Sequence, residues 1–156
     1  MVKYESRGDL MNYLIAGTGG IGGALGGFLA SSGYNVDFIA RGKTLEVLKN
    51  KGLIIKSGIK GDIIIPSVNA FSIEEYNSNA DVVFLCVKDY SLDSIIPLLI
   101  KASLNGSIII PLLNGYGIGE KLREKINSNR IIDGCIYISS FIEAPGSIVQ
   151  LGNLFK

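Results

Sequence analysis

A glycine-rich segment near the start of the chain has the residue types and the spacing to bind a phosphate group. Residues 17–22 read GTGGIG and fit the pattern G-x-G-x-x-G. They follow an apolar run directly, and apolar residues then recur at helical spacing, so the segment predicts a turn between a strand and a helix. In such a turn the first glycine allows the tight bend, the second lets the backbone approach a pyrophosphate, and the third brings the helix against the sheet. The helix N-terminus adds unpaired amide groups and a partial positive charge.

The segment therefore predicts a dinucleotide-binding loop, and the alternative is a glycine-rich turn without a ligand. The residues expected to contact the dinucleotide are Gly17, Thr18, Gly19, Gly20, Ile21 and Gly22. Further glycines at 23, 26 and 27 cost the predicted helix about 1 kcal/mol each relative to alanine, and close packing against the sheet is the expected reason. Their Gly-xxx-Gly spacing also occurs in membrane helices, but the eight glycines between residues 13 and 36 argue against a membrane span.

Two basic residues after the second predicted strand indicate which dinucleotide is bound. Folds that bind NAD place an acidic residue there, where it holds the ribose 2′-hydroxyl. Here residues 35–40 run into Arg41 and Lys43, and a guanidinium suits a 2′-phosphate. Asp37 is the one competing acid, and its position in the middle of the strand predicts that it faces away from the ribose. The pattern favours NADP(H) over NAD(H), the alternative being that both cations belong to a solvated loop.

Two more polar sites follow predicted strands, at the edge where open parallel sheets bind ligands. Lys88 comes directly after the apolar run DVVFLCV, and Asn114 with Gly115 follows the next one. Either side chain could reach the nicotinamide ribose or a substrate, and Lys88 is the candidate for a catalytic contact. The alternative interpretations are that Lys88 is a surface lysine and that Asn114 and Gly115 form an ordinary turn.

The composition limits the classes of function. The chain has 156 residues, of which 47% are hydrophobic and 19% charged, with a net charge of +1, so disorder, nucleic-acid binding and membrane-surface binding are not expected. It has no histidine, which excludes His-dependent hydrolysis and His-ligated zinc, and no metal is expected. The partner expected is a small molecule. Cys86 and Cys135 lie in apolar runs and are expected to be buried free thiols in a reducing compartment, the cytoplasm.

The remaining pattern predicts alternating strands and helices after a loose leader at residues 1–10. Predicted strands cover residues 12–16, 35–40, 53–55, 62–65, 81–87, 107–111, 131–137 and 148–151. Predicted helices cover residues 20–32, 43–51, 91–103 with an interruption near Pro97, and 118–126. Such alternation over residues 11–156 predicts one Rossmann-type α/β domain, in which helices cover both faces of a mainly parallel, doubly wound sheet.

Six segments in order resemble the N-terminal half of the ketopantoate reductases, the 2-dehydropantoate 2-reductases of the PanE/ApbA type. They are the glycine loop at 17–22, ARG at 40–42, ADVVFLCVK at 80–88, LNG at 113–115, GIGEKL at 117–122 and IEAPG at 142–146. The resemblance implies NADPH-dependent reduction of 2-dehydropantoate, a 2-keto acid, to pantoate, on the route to pantothenate and coenzyme A. It also implies that Lys88 and Asn114 contact cofactor or substrate, and that a small residue near Ser140, usually alanine, lies against the cofactor.

Members of that family continue into a helical second domain, which carries the lysine general acid and most substrate contacts. This sequence stops before that domain, so we expect it to be the NADP-binding part of an oxidoreductase and to lack the general acid. An apolar strip that the second domain would cover is expected to favour a homodimer. Two other functions remain open: a stand-alone nucleotide-sensing module, and a reductase of another keto or imino acid.

Overall fold

The computed structural model describes residues 11–126 and 129–156, so the expected leader at residues 1–10 lies outside the described residues. The strands are β1 (Asn12–Ala16), β2 (Asn35–Ile39), β3 (Leu53–Ser57), β4 (Gly61–Ile65), β5 (Asn69–Phe71), β6 (Val82–Leu85), β7 (Ile108–Pro111), β8 (Ile138–Ala144) and β9 (Ser147–Phe155). The helices are α1 (Gly20–Ser31), α2 (Gly42–Lys51), α3 (Leu92–Leu104) and α4 (Ile118–Ile126).

The larger strand array, called sheet A here, is a five-stranded parallel sheet in the order β5-β2-β1-β6-β7. The chain leaves β1 toward β2 on one side and later returns to β6 on the other. The carboxyl ends of β1 and β6 therefore flank a topological switch point, where open α/β sheets bind their ligands. Helices α3 and α4 pack on one face of sheet A, and α1 and α2 on the other. These features confirm the predicted Rossmann-type fold.

A second, four-stranded array, called sheet B here, has the order β4-β3-β9-β8. The β3–β4 and β8–β9 pairs are antiparallel, whereas β3 and β9 run parallel. The hairpin of β3 and β4 agrees with the prediction, but the sequence pattern did not reveal β5 or β8. Sheet B lies against the side of α1 that faces away from sheet A, so this helix is covered by a sheet on each side.

Glycines in α1 allow this double covering. A Cβ atom at Gly26 would lie 2.4 Å from Cε1 of Phe38 in sheet A, and one at Gly27 would lie 2.1 Å from Cδ1 of Ile55 in sheet B. A methyl group at either position would overlap its neighbour, so the Gly-xxx-Gly spacing serves packing against two sheets. Within residues 11–126 and 129–156, no helix is long and apolar enough to cross a membrane.

Three predictions about local structure are wrong. The predicted strand at 131–137 reduces to an isolated parallel bridge between Ile131 and Ile109, after which the chain crosses from sheet A to sheet B. Cys135 lies in that crossing segment, which is neither strand nor helix, and is exposed rather than buried. Helix α3 runs through Pro97 without a break, so the expected interruption is absent.

Gly26→Ala tests the packing of α1. Alanine favours a helix by about 1 kcal/mol over glycine, but overpacking of a close contact costs about 1–3 kcal/mol. We expect a net fall in the free energy of unfolding, measured by urea denaturation. Ser31→Ala, at an exposed position of the same helix, removes one hydrogen bond to the Phe28 carbonyl, to which the hydroxyl and N–H of Ser32 also donate. It should stay within about 0.5 kcal/mol of the parent. A Gly26→Ala variant more stable than the parent would show that the close approach does not require glycine.

Candidate functional site

A cleft of about 750 Å³ opens at the carboxyl edge of sheet A, beside the switch point between β1 and β6. Its walls come from the turns that follow β1, β2, β5, β6 and β7, together with the first turns of α2 and α3. The residues that line it include Gly17, Thr18, Gly19, Gly20, Ile21, Arg41, Thr44, Ser72, Glu74, Cys86, Lys88, Ser91, Ser94, Asn114 and Ile142. The structure thus brings most of the sequence-predicted site residues to one cavity.

The glycine loop forms the floor of the cleft. Gly17 has a φ of 110°, which favours glycine, and a side chain there would also collide with Val87. Gly19 has an ordinary φ of −87°, and a Cβ at this position would meet no protein atom within 4 Å. Since Gly19 lines the cleft, the open space beside it is space that a ligand can occupy.

Two of the predicted loop residues have mainly structural contacts. The Thr18 hydroxyl and backbone N–H both donate to the carbonyl of Ile39, over 2.9 and 3.1 Å, and so tie the loop to the end of β2. Gly22 lies behind the cleft, where a Cβ would come within 2.1 Å of the Gly17 carbonyl oxygen. It brings α1 against the loop, as the motif predicts for its third glycine.

One end of the cleft carries the cation expected to read a 2′-phosphate. Arg41 follows β2, and its guanidinium lies 3.5 Å from the hydroxyl of Ser91 across the opening. Lys43 is directed elsewhere, because its ammonium group pairs with Glu46 at 2.9 Å on the exposed side of α2. Of the two basic residues in the sequence motif, only Arg41 lines the cleft.

Asp37 is not available to a ribose in this cleft. Its half-buried side chain interacts with the side chains of Asn69 and Tyr76, and it does not line the cavity. Burial raises the pKa of its carboxyl group, while the interactions with Asn69 and Tyr76 oppose that rise. The position therefore agrees with the expectation that this acid faces away from the ligand.

Lys88 and Asn114 follow β6 and β7, which lie on the opposite side of β1 from β2 and Arg41 in the strand order of sheet A. Lys88 follows β6 in an extended conformation, and its carbonyl accepts the N–H of Ser91 at 2.8 Å, which closes a short 3-10 turn. Both side chains are exposed and line the cavity. Cys86 lines it as well, but burial raises the pKa of its thiol to about 12, so at neutral pH it is a protonated group and a poor nucleophile.

Ser140 lies beside the glycine loop but does not line the cavity. Its carbonyl oxygen would be 2.7 Å from a Cβ at Gly20, so strand β8 packs closely on the loop from behind. Its hydroxyl is buried without a hydrogen-bond partner among the described residues. The β8 residue that reaches the cleft is Ile142.

Several lining residues were missed in the sequence. Ser72 and Glu74 follow β5, a three-residue strand too short to give a periodic signal. A hydrogen bond with Ser72 lowers the pKa of Glu74, so this exposed carboxylate is charged at neutral pH. Thr44, Ser91 and Ser94 lie near the starts of α2 and α3. The rule that ligands gather after the strands of a parallel sheet could have pointed to these turns.

The chain is similar in sequence and in fold to known oxidoreductases. A family model described as ketopantoate reductase PanE/ApbA matches residues 13–155. YkpB, an uncharacterized oxidoreductase of Bacillus subtilis (strain 168), is 34% identical over 140 residues, which are 88% of this chain and 45% of YkpB. The crystal structure of 2-dehydropantoate 2-reductase from Geobacter metallireducens GS-15 superposes with a TM-score of 0.82 at 29% identity, over 91% of this chain and 46% of that one.

A more distant structure shares the fold alone. A ternary complex of D-mandelate dehydrogenase with NADH and anilino(oxo)acetate has a TM-score of 0.81 at 23% identity, over 91% of this chain and 46% of that chain. In each of these comparisons the present chain spans about half the length of the protein it matches.

Gly19→Val tests whether the loop binds a dinucleotide. The valine side chain meets no protein atom at its Cβ, so we expect the fold to be retained. It would occupy the space of the pyrophosphate, so binding of NADPH, followed by its fluorescence, should be lost. Gly22→Ala is the contrasting variant, since its Cβ overlaps the Gly17 carbonyl and should lower stability instead. Unchanged NADPH affinity in Gly19→Val would contradict this placement of the phosphates.

Proposed function

The chain belongs to the ketopantoate reductase PanE/ApbA family, and from that premise we propose that it is the NADP(H)-binding part of a reductase that converts 2-dehydropantoate to pantoate. The observation that carries this proposal is one cleft lined by three kinds of group: the open glycine loop after β1, Arg41 after β2, and Lys88 with Asn114 after β6 and β7. A dinucleotide needs all three regions, for its pyrophosphate, its adenosine and its nicotinamide.

The residues present fit a phosphorylated dinucleotide. No protein atom fills the space beside Gly19, so a pyrophosphate can occupy it. The guanidinium of Arg41 suits a 2′-phosphate better than a ribose hydroxyl. Since Asp37 does not line the cleft, no carboxylate replaces Arg41 at the end of β2. Glu74 lines the cleft after β5, and its ionised carboxylate repels the 2′-phosphate. The preference for NADP(H) therefore depends on Arg41 and its neighbours.

Reduction of a ketone requires a hydride at the carbonyl carbon and a proton at the carbonyl oxygen. The reduced nicotinamide supplies the hydride when the cofactor is bound. Lys88 and Asn114 are placed to orient a keto acid there, Lys88 by pairing with its carboxylate and Asn114 by donating to an oxygen. Both are exposed in this chain, and a solvated lysine is a poor proton donor in the transition state. We therefore assign these residues to positioning and assign the proton donation to neither of them.

Arg41→Ala tests the choice of cofactor. A hydrogen bond to a charged group contributes about 1.5–3 kcal/mol, so NADPH affinity should fall about 10- to 100-fold. NADH affinity should change little, because NADH lacks the 2′-phosphate. Lys43→Ala removes the same charge from a side chain that Glu46 holds outside the cleft, and it should bind NADPH as the parent does. Equal affinities of the parent for NADPH and NADH would contradict the assignment.

NADPH oxidation with and without 2-dehydropantoate tests the reductase assignment. We expect the chain to bind NADPH but to turn over more slowly than about 1 s⁻¹, because proton donation is worth about 10²–10⁴-fold and these residues supply it poorly. Any residual substrate-dependent oxidation should fall in Lys88→Ala and in Asn114→Ala. Rapid turnover would show that the proton donor lies within this chain, and residual activity unchanged in both variants would remove their role.

A further inference from the structure

We infer that Thr44 is the second protein ligand of the 2′-phosphate and, with Arg41, sets the preference for NADP(H). This inference rests on the proposed NADP(H) site and deepens it. The sequence motif offers Arg41 and Lys43 as a basic pair, which would make the second ligand another cation. The structure assigns that place to the neutral hydroxyl of Thr44.

Thr44 is positioned by the turn that carries Arg41. Helix α2 begins at Gly42, immediately after Arg41, so Thr44 belongs to its first turn. Its half-buried side chain lines the same cavity as Ala40 and Arg41, at the end of β2 where the ribose of the adenosine is expected. No hydrogen bond from its hydroxyl to another described residue is present, so the group is free to donate to a ligand.

Lys43 lies in the same turn but faces the other way. Both carboxylate oxygens of Glu46 accept from its ammonium group, over 2.9 and 3.0 Å. The pair is largely exposed, and Lys43 does not line the cavity. An ion pair of this kind is weak, but turning Lys43 toward the cleft would require breaking it and swinging the side chain around the helix.

The chemistry of a phosphate monoester explains why a hydroxyl serves here. Such a group carries nearly two negative charges and three strong acceptor oxygens at neutral pH. The planar guanidinium of Arg41 can engage two oxygens side by side, which leaves a third for another donor. The Thr44 hydroxyl can donate to this third oxygen without placing another charged side chain in the cleft. NADH presents only a ribose hydroxyl at this position, so the contact separates the two cofactors.

The test compares NADPH and NADH affinities by fluorescence titration in a small set of variants. Thr44→Val keeps the shape of the side chain and removes the hydroxyl, so we expect NADPH affinity to fall about tenfold with NADH affinity unchanged. Thr44→Ser keeps the hydroxyl and should retain most of the parent's NADPH affinity. An aspartate is favourable in the first turn of a helix, so Thr44→Asp should fold. Its carboxylate should repel the 2′-phosphate and lower the NADPH affinity further, with the NADH affinity unchanged. Lys43→Ala is the matched control and should behave as the parent.

The outcomes separate this inference from the proposal on which it rests. If the parent prefers NADPH and Arg41→Ala removes that preference, the NADP(H) site stands. Within that result, an unchanged NADPH affinity in Thr44→Val, or an equal fall for both cofactors, overturns the role of Thr44 alone. A parent without preference for NADPH overturns both. Should Thr44→Val fail to fold, the contrast between NADPH and NADH in Thr44→Asp and Thr44→Ser decides the question.

Discussion

Helix α1 is held between two sheets at distances that only glycine allows, and the position of the cofactor loop follows from that packing. Gly22 and Gly26 face sheet A, where Cβ atoms would lie 2.1 Å from the Gly17 carbonyl and 2.4 Å from Phe38. Gly23 and Gly27 face sheet B in the same way, against Ile148 and Ile55. The helix therefore has two faces without side chains, and its N-terminus is fixed directly behind the loop. The cost in helix propensity is offset by burial of the apolar side chains that reach α1 from both sheets.

Sheet B has a second consequence for the site. Its edge strand β8 packs closely on Gly20, and Ile142 of the same strand lines the cleft. On the other side, Thr18 ties the loop to the last residue of β2. The loop is thus fixed to both sheets and to the strand that carries Arg41. A binding site of this kind is ordered before the ligand arrives, which lowers the entropy lost on binding.

The sequence predicted the parallel core and the glycine loop well, because long apolar runs, glycine spacing and strand ends are local signals. It failed where structure depends on distant partners. The segment 131–137 is apolar enough for a strand, yet it pairs only at its two ends, Ile131 with Ile109 of sheet A and Tyr137 with Lys156 next to sheet B. Cys135 lies between these ends and is exposed. Strand β8 pairs with β9, and most of its residues are exposed, so its own sequence gives no alternating pattern of buried residues. The direction of the Lys43 side chain was also hidden, since it is set by Glu46 one turn along the helix.

The most direct test of this account is a crystal structure of the chain with NADP⁺. The account predicts the pyrophosphate against Gly19, the 2′-phosphate within hydrogen-bond distance of the Arg41 guanidinium, and the nicotinamide toward Lys88 and Asn114. It would be contradicted by a dinucleotide bound in the opposite direction, with its adenosine near Asn114, or by one bound outside the cleft.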